Sequence, residues 1–315
     1  MNINKNNIVT LALILISSIG YAQQLPQFTE YMFNTISINP AYAGSRETLS
    51  IVGLHRSQWT EIEKGPTTQT LSLHTPLRNE KIGLGVSIIN DSPGYENFLY
   101  AYADISYTIN TGRYTKLAFG IKGGFTHYNL DQQFLDDPRV LADPFFGNYA
   151  DKWNPNVGVG AFLHSDRWYI GLSAPRILNT DYNLTEETGG AEYVALERVS
   201  YYLTGGYVFD LANDVKLKPS FLVKATNGAP ISVDLNANFL LFEKLWLGGS
   251  YRYNENTGAI AGIADFQISK QLRIGYAYDH YISDVRPYFG GTHEVLLMFE
   301  INQRDPRRVK SPRYF

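Results

Sequence analysis

The chain lacks cysteine altogether and holds only three methionines in 315 residues. Without cysteine there is no disulfide, no thiolate metal site and no cysteine nucleophile. Charged residues are sparse as well, at 18%, below the usual quarter. The formal net charge of −3 excludes a basic nucleic-acid binder as the default. Long apolar runs are missing beyond the N-terminus, so no later segment reads as a membrane-spanning helix. Helical periodicity is nearly absent too. What is abundant is aromatic and small: 23 Tyr, 17 Phe and 27 Gly, a mixture that favours strands.

The first 22 residues read as an export signal. Lys5 supplies a charged start, Ile8 to Ile19 is an apolar run, and Gly20-Tyr21-Ala22 puts small residues where a signal peptidase cuts. Cleavage is expected after Ala22. About twelve apolar residues are too few to serve as an anchor.

From residue 49 onward the dominant period is two. Val233, Leu235, Ala237, Phe239 and Leu241 share one face, while Ser232, Asp234, Asn236 and Asn238 share the other. The same alternation recurs in 101–109, 117–126 and 245–253. It marks strands with one apolar and one polar face. About fourteen strands are expected: 49–57, 67–77, 82–90, 99–109, 116–128, 155–164, 168–175, 198–209, 215–224, 231–241, 245–253, 259–268, 272–279 and 292–302. Most have the length a tilted strand needs to cross a bilayer. Short connections alternate with long ones, notably 129–154, 176–197 and 281–291, as in outer-membrane barrels. A β-sandwich or propeller would bury the apolar face, but would call for more surface charge and, for a propeller, a blade-length repeat. The expected fold is therefore all-β, a transmembrane antiparallel β-barrel spanning 49–302. Tyr100, Tyr207, Tyr251, Tyr253, Tyr276, Tyr278 and Trp168 are expected to form its aromatic girdle. Residues 23–48 are long enough to enter the lumen, and 303–315 form a basic tail carrying Arg304, Arg307, Arg308, Lys310 and Arg313.

Gln27-Phe28-Thr29-Glu30-Tyr31-Met32-Phe33-Asn34, followed by Asn39-Pro40-Ala41-Tyr42-Ala43-Gly44-Ser45, resembles the N-terminal signature of the PorP/SprF-type membrane proteins of type IX secretion systems. Arg56-Ser57-Gln58-Trp59 with Gly65-Pro66 resembles a second block. Gly83-Leu84-Gly85 with Asn90-Asp91 and Gly94 resembles a third, and His293-Glu294 a fourth. The resemblance implies an outer-membrane barrel of a secretion and gliding apparatus. It further implies a large secreted adhesin as partner, assisted in export or surface attachment, alongside other type IX components and the lipid of the membrane.

No catalytic or cofactor motif is found. Gly83-Leu84-Gly85 and Gly158-Val159-Gly160 lack the third glycine and the helix of a nucleotide site. Ser72 and His74 share a strand face, which a lipid hydrolase could use, but no orienting third residue can be named, and a polar lumen lining is the simpler reading. Asp136, Asp137 and Asp143 could offer oxygens to calcium or simply a solvated acidic loop. No enzyme, cofactor or metal is expected. For partner binding the candidates are Phe145, Phe146, Tyr149 and Trp153 in the longest loop, because aromatic residues dominate binding hot spots. The signature residues Asn39, Pro40, Ala41, Tyr42, Gly44, Arg56 and Trp59 carry no assigned role at this point. A transport channel is the alternative function.

Overall fold

A computed structural model describes residues 26–78, 80–138, 152–181, 196–255, 258–282, 290–301 and 314. The expected signal peptide and its cleavage point lie outside these residues, as do Phe145, Phe146, Tyr149, Asp143 and all of the tail except Tyr314.

The strands run in chain order as β1 (Leu49–Ser57), β2 (Thr67–Pro76), β3 (Ile82–Ser92), β4 (Glu96–Asn110), β5 (Lys116–Leu130), β6 (Lys152–His164), β7 (Trp168–Ala174), β8 (Thr180–Asp181) and β9 (Leu196–Glu197). They continue as β10 (Ser200–Tyr207), β11 (Phe209–Ala212), β12 (Val215–Thr226), β13 (Ser232–Leu241), β14 (Leu245–Tyr253), β15 (Gly258–Gln267), β16 (Leu272–Tyr281) and β17 (Thr292–Ile301). Fifteen of them form one antiparallel sheet in which β1 to β7 and β11 to β17 each pair with the next in sequence, while β10 pairs with β7. β1 pairs with β17 along its whole length, from Leu49 opposite Ile301 to Ser57 opposite His293. β10 pairs with β12, so the sheet closes on itself. Since β10 and β11 are two pieces of one stave, the wall is a barrel of fourteen staves among the described residues. Closure removes every sheet edge, which is what lets strands cross a bilayer.

Alternation sets the two faces. On β13, Ser232, Asp234, Asn236 and Asn238 are buried inside, while Leu235 and Phe239 are exposed outside. β17 places Leu296 and Met298 inward and Val295, Leu297 and Phe299 outward, so its apolar run serves both faces. Tyr207, Tyr251, Tyr253, Tyr276 and Tyr278 lie on the outer surface, as a girdle requires. Tyr100 does not. It shares the inward phase of Tyr102 and Asp104 on β4 and is buried, with the Arg176 guanidinium 4.1 Å from its ring centroid.

Three other details differ from expectation. The stave at 198–209 is broken at Val208, which is buried and donates its N–H to Arg167 O at 2.8 Å. A register shift between Asp210 and Ala212 lets β11 continue against β12. The long connection after β7 holds a small ladder of β8 with β9 at its base. Finally, β5 and β6 extend further than the pattern suggests, so Trp153 belongs to β6 and not to the loop. It stands opposite His127 in the ladder and stacks on that ring at 4.4 Å.

Candidate functional site in the filled lumen

Residues 26–48 lie inside the barrel. They form three 3-10 turns, Tyr31–Phe33, Thr35–Ser37 and Pro40–Tyr42. The sequence explains the last of these locally. Asn39 Oδ1 accepts from Ala41 N at 3.0 Å, and Pro40 takes the first position, where its missing N–H is harmless. Short turns rather than one helix let side chains radiate in every direction, as filling a round lumen demands. Tyr31, Met32, Phe33, Ile36, Ala41 and Tyr42 are each at most 2% exposed. They pack in two clusters. Phe28, Tyr31, Met32 and Phe33 meet Val52, Leu54, Leu222, Ile263, Leu296 and Met298. Ile36, Ala41 and Tyr42 meet Ala118, Phe162 and Tyr169. Leu296 and Met298, the inward apolar residues of β17, thus have a solid neighbour.

Polar contacts tie this segment around the wall. Ser72 Oγ donates to Asn34 Oδ1 at 2.6 Å, and Gly44 N donates to His74 Nδ1 at 3.1 Å. Ser72 and His74 therefore hold the lumen segment. Ser106 donates to Ala43 O and Ser173 to Ile38 O, each at 2.7 Å. Asn39 Nδ2 reaches Ala161 O at 3.1 Å. Arg46 pairs with Glu300 at 2.7 Å, and Lys116 with Glu47 at 2.6 Å. Contact is close enough that a Cβ on Gly83 would overlap Ala43, and one on Gly120 would overlap the Pro40–Ala41 backbone. The glycines of these strands make room for the chain that fills them.

The centre of the arrangement is a buried charge cluster. Arg56 of β1 pairs with Asp279 of β16 and Glu294 of β17, both at 2.8 Å. Arg252 of β14 reaches Asp234 at 3.0 Å and Asp279 at 3.3 Å. The lumen segment completes it. Thr29 N and Glu30 N donate to Glu294 at 3.0 and 2.7 Å, and Thr29 Oγ1 donates to Asp279 at 2.7 Å. Two guanidiniums face three carboxylates, and backbone N–H groups supply the remaining donors. Buried charges persist only when paired in this way. The wall therefore depends on the segment as much as the segment on the wall. Nearby, Glu30 and Asp265 are both fully buried and face each other beside Gly275.

At the short-turn end, Lys218 donates to Tyr314 O at 2.6 Å, and the Tyr314 ring packs against the second apolar cluster. Trp59 lies at the opposite end, in the 58–66 loop, with φ of 54°.

Over residues 20–299 the sequence matches the family described as type IX secretion system membrane protein PorP/SprF. The chain belongs to the PorP/SprF family. Residues that carry the resemblance, far apart in sequence, meet in the lumen of this family member: Thr29 and Glu30, Asn39 to Gly44, Arg56, Gly83 and Glu294. Its fold is also that of solved outer-membrane barrels. The CymD monoaromatic hydrocarbon channel is 11% identical, with a TM-score of 0.50 over 89% of this chain and 93% of that one. A deletion mutant of the TodX monoaromatic hydrocarbon channel is 9% identical, with a TM-score of 0.50 over 90% and 96%. The Acinetobacter baumannii protein Omp33 is 8% identical, with a TM-score of 0.49 over 81% and 98%. No curated protein matches the sequence. Family and barrel fold together place this PorP/SprF protein in the outer membrane.

Sequence reasoning did not find Asp279, Arg252 or Asp234 as anchors. A usable signal was present: each is a charged residue in the inward phase of a strand, and an inward charge demands a partner.

Proposed function

We propose that the barrel is a partner protein for a large adhesin exported by the type IX system, assisting its export or its attachment at the cell surface. The observation that carries this reading is the filled lumen. Residues 26–48 occupy the interior with apolar packing and buried ion pairs, an arrangement suited to a rigid platform rather than to a solute path. The long loops then offer the binding surface, with Phe145, Phe146 and Tyr149 as candidate contacts and Trp153, on β6, as the fourth. Short turns of outer-membrane barrels face the periplasm and long loops the outside.

The test is a mild-detergent pull-down of tagged protein from its native outer membrane, with mass spectrometry of what accompanies it. A large exported protein at near-equal stoichiometry supports the proposal. Deleting 135–150 should then abolish capture while the barrel stays heat-modifiable on gels. A protein that purifies alone, and conducts ions in planar bilayers, would refute it in favour of a transport channel.

A further inference from the structure

At the long-loop end, a cleft of about 450 Å³ opens between the 58–66 loop, the β3–β4 hairpin and the start of the segment after β5. This lies in the usual range for ligand sites. Its described walls are mostly polar and uncharged. Ser57, Gln58, Thr60, Thr67, Ser92 and Asn97 contribute hydroxyl and amide groups. Among the described residues, Trp59 and Ile62 are its large apolar side chains. The two charged lining residues, Lys64 and Asp131, neutralise each other at 2.6 Å.

The cleft is built, not incidental. Trp59 and Lys64 both adopt left-handed backbone, at φ of 54° and 61°, and both line it. Such strain in non-glycine residues collects at functional sites. The loop that carries them is closed by Gln58 N donating to Pro66 O at 2.8 Å and Ile62 N to Trp59 O at 2.9 Å. Thr60 N donates to Gly291 O at 3.4 Å across the neighbouring loop. Asp131 is fixed by Tyr95 O, which accepts its N–H at 2.7 Å, and by Lys64.

We infer that this cleft binds a neutral saccharide. Hydroxyl and amide side chains both donate and accept, which matches a ligand whose every polar group does the same. Trp59 in the lining adds the aromatic surface on which the C–H groups of a sugar ring pack. A docked protein would call for more apolar anchors, and a charged ligand for an unpaired charge in the lining. Because the long loops of such barrels face outward, glycans of the cell surface or its surroundings have direct access.

The experiment uses the full chain in lipid nanodiscs, free of sugar-headed detergent, on an array of neutral and acidic oligosaccharides. Titration calorimetry then follows with the best neutral hit. Retention of at least one neutral glycan is expected, with affinity falling tenfold or more in Trp59→Ala and largely kept in Trp59→Phe. Heat-modifiability on gels establishes that each variant is folded. A remote change, Asp210→Asn, should leave the affinity unchanged. No retention of any neutral glycan by the folded wild type overturns the inference. So does equal binding by Trp59→Ala, or a preference for acidic over neutral glycans.

Discussion

Replacing Arg56 by methionine tests the idea that the lumen segment and the wall share one charge cluster. The side chain is 1% exposed and makes two ion pairs at 2.8 Å and a third contact to Thr29 Oγ1 at 3.1 Å. Methionine fills most of the same space, so the loss is electrostatic rather than a cavity. Asp279 keeps Arg252 at 3.3 Å, but Glu294 keeps only the N–H groups of Thr29 and Glu30. Removing one partner of a buried pair costs about 3–5 kcal/mol. That raises the detached fraction of the segment by roughly two to four orders of magnitude. Ion conductance in planar bilayers should change from silence to brief openings, and the guanidinium midpoint followed by tryptophan fluorescence should fall. Adding Glu294→Gln to Arg56→Met should recover part of the loss, because the surplus charge is gone. A variant with an unchanged midpoint and a silent bilayer would refute the shared cluster.

Gly120→Val should push against the Pro40–Ala41 backbone and destabilise the packed segment by about 1–3 kcal/mol; faster proteolysis between 26 and 48 is the readout. Ser72→Ala loses the 2.6 Å bond to Asn34 and should cost about 1–3 kcal/mol. Its ester hydrolysis should equal that of the wild type, and a selective loss would revive the hydrolase reading. The Asp131 carboxyl is held below its usual range by hydrogen bonds from Lys64 and from Gln133 N. The pair's contribution is therefore fully present above the unfolded aspartate value of about 3.9 and is lost as pH falls through the depressed folded value. The protection factor of amides in the 58–66 loop, taken against the intrinsic exchange rate at each pH, should stay flat from about pH 5 upward and fall only in stronger acid.

The wall was legible because a membrane barrel enforces a strict period of two between lipid and lumen. β1 and β14 have the bounds that their alternation marks. Where legibility failed, the reason was local. Tyr100 reads as a girdle residue by its place near a strand end, yet its phase turns it inward to Arg176. Val208 breaks a stave through a contact with Arg167 that no periodicity encodes. The lumen cluster was harder still. Arg56 and Glu294 are 238 positions apart, and only closure of the barrel makes them neighbours. Arg56, Asn39 and Tyr42 could be picked out by resemblance, but what they do depends on partners on strands that carry no motif.

The pairing of β1 with β17 has a consequence for assembly. Residues 26–48 precede the first stave, and the last stave seals the wall beside it. The filling must therefore be in place when the seam zips, or be admitted through an end already narrowed by turns. Such a pairing, between the first and last strands, is the slowest kind to form. The interval before it forms is when the half-built sheet can wrap its own N-terminal segment. Glu294, the carboxylate that the segment's N–H groups complete, sits on that final strand. Sealing and filling are then one event, and a barrel that closes empty would be left with a carboxylate short of donors, a product recognisable as misassembled.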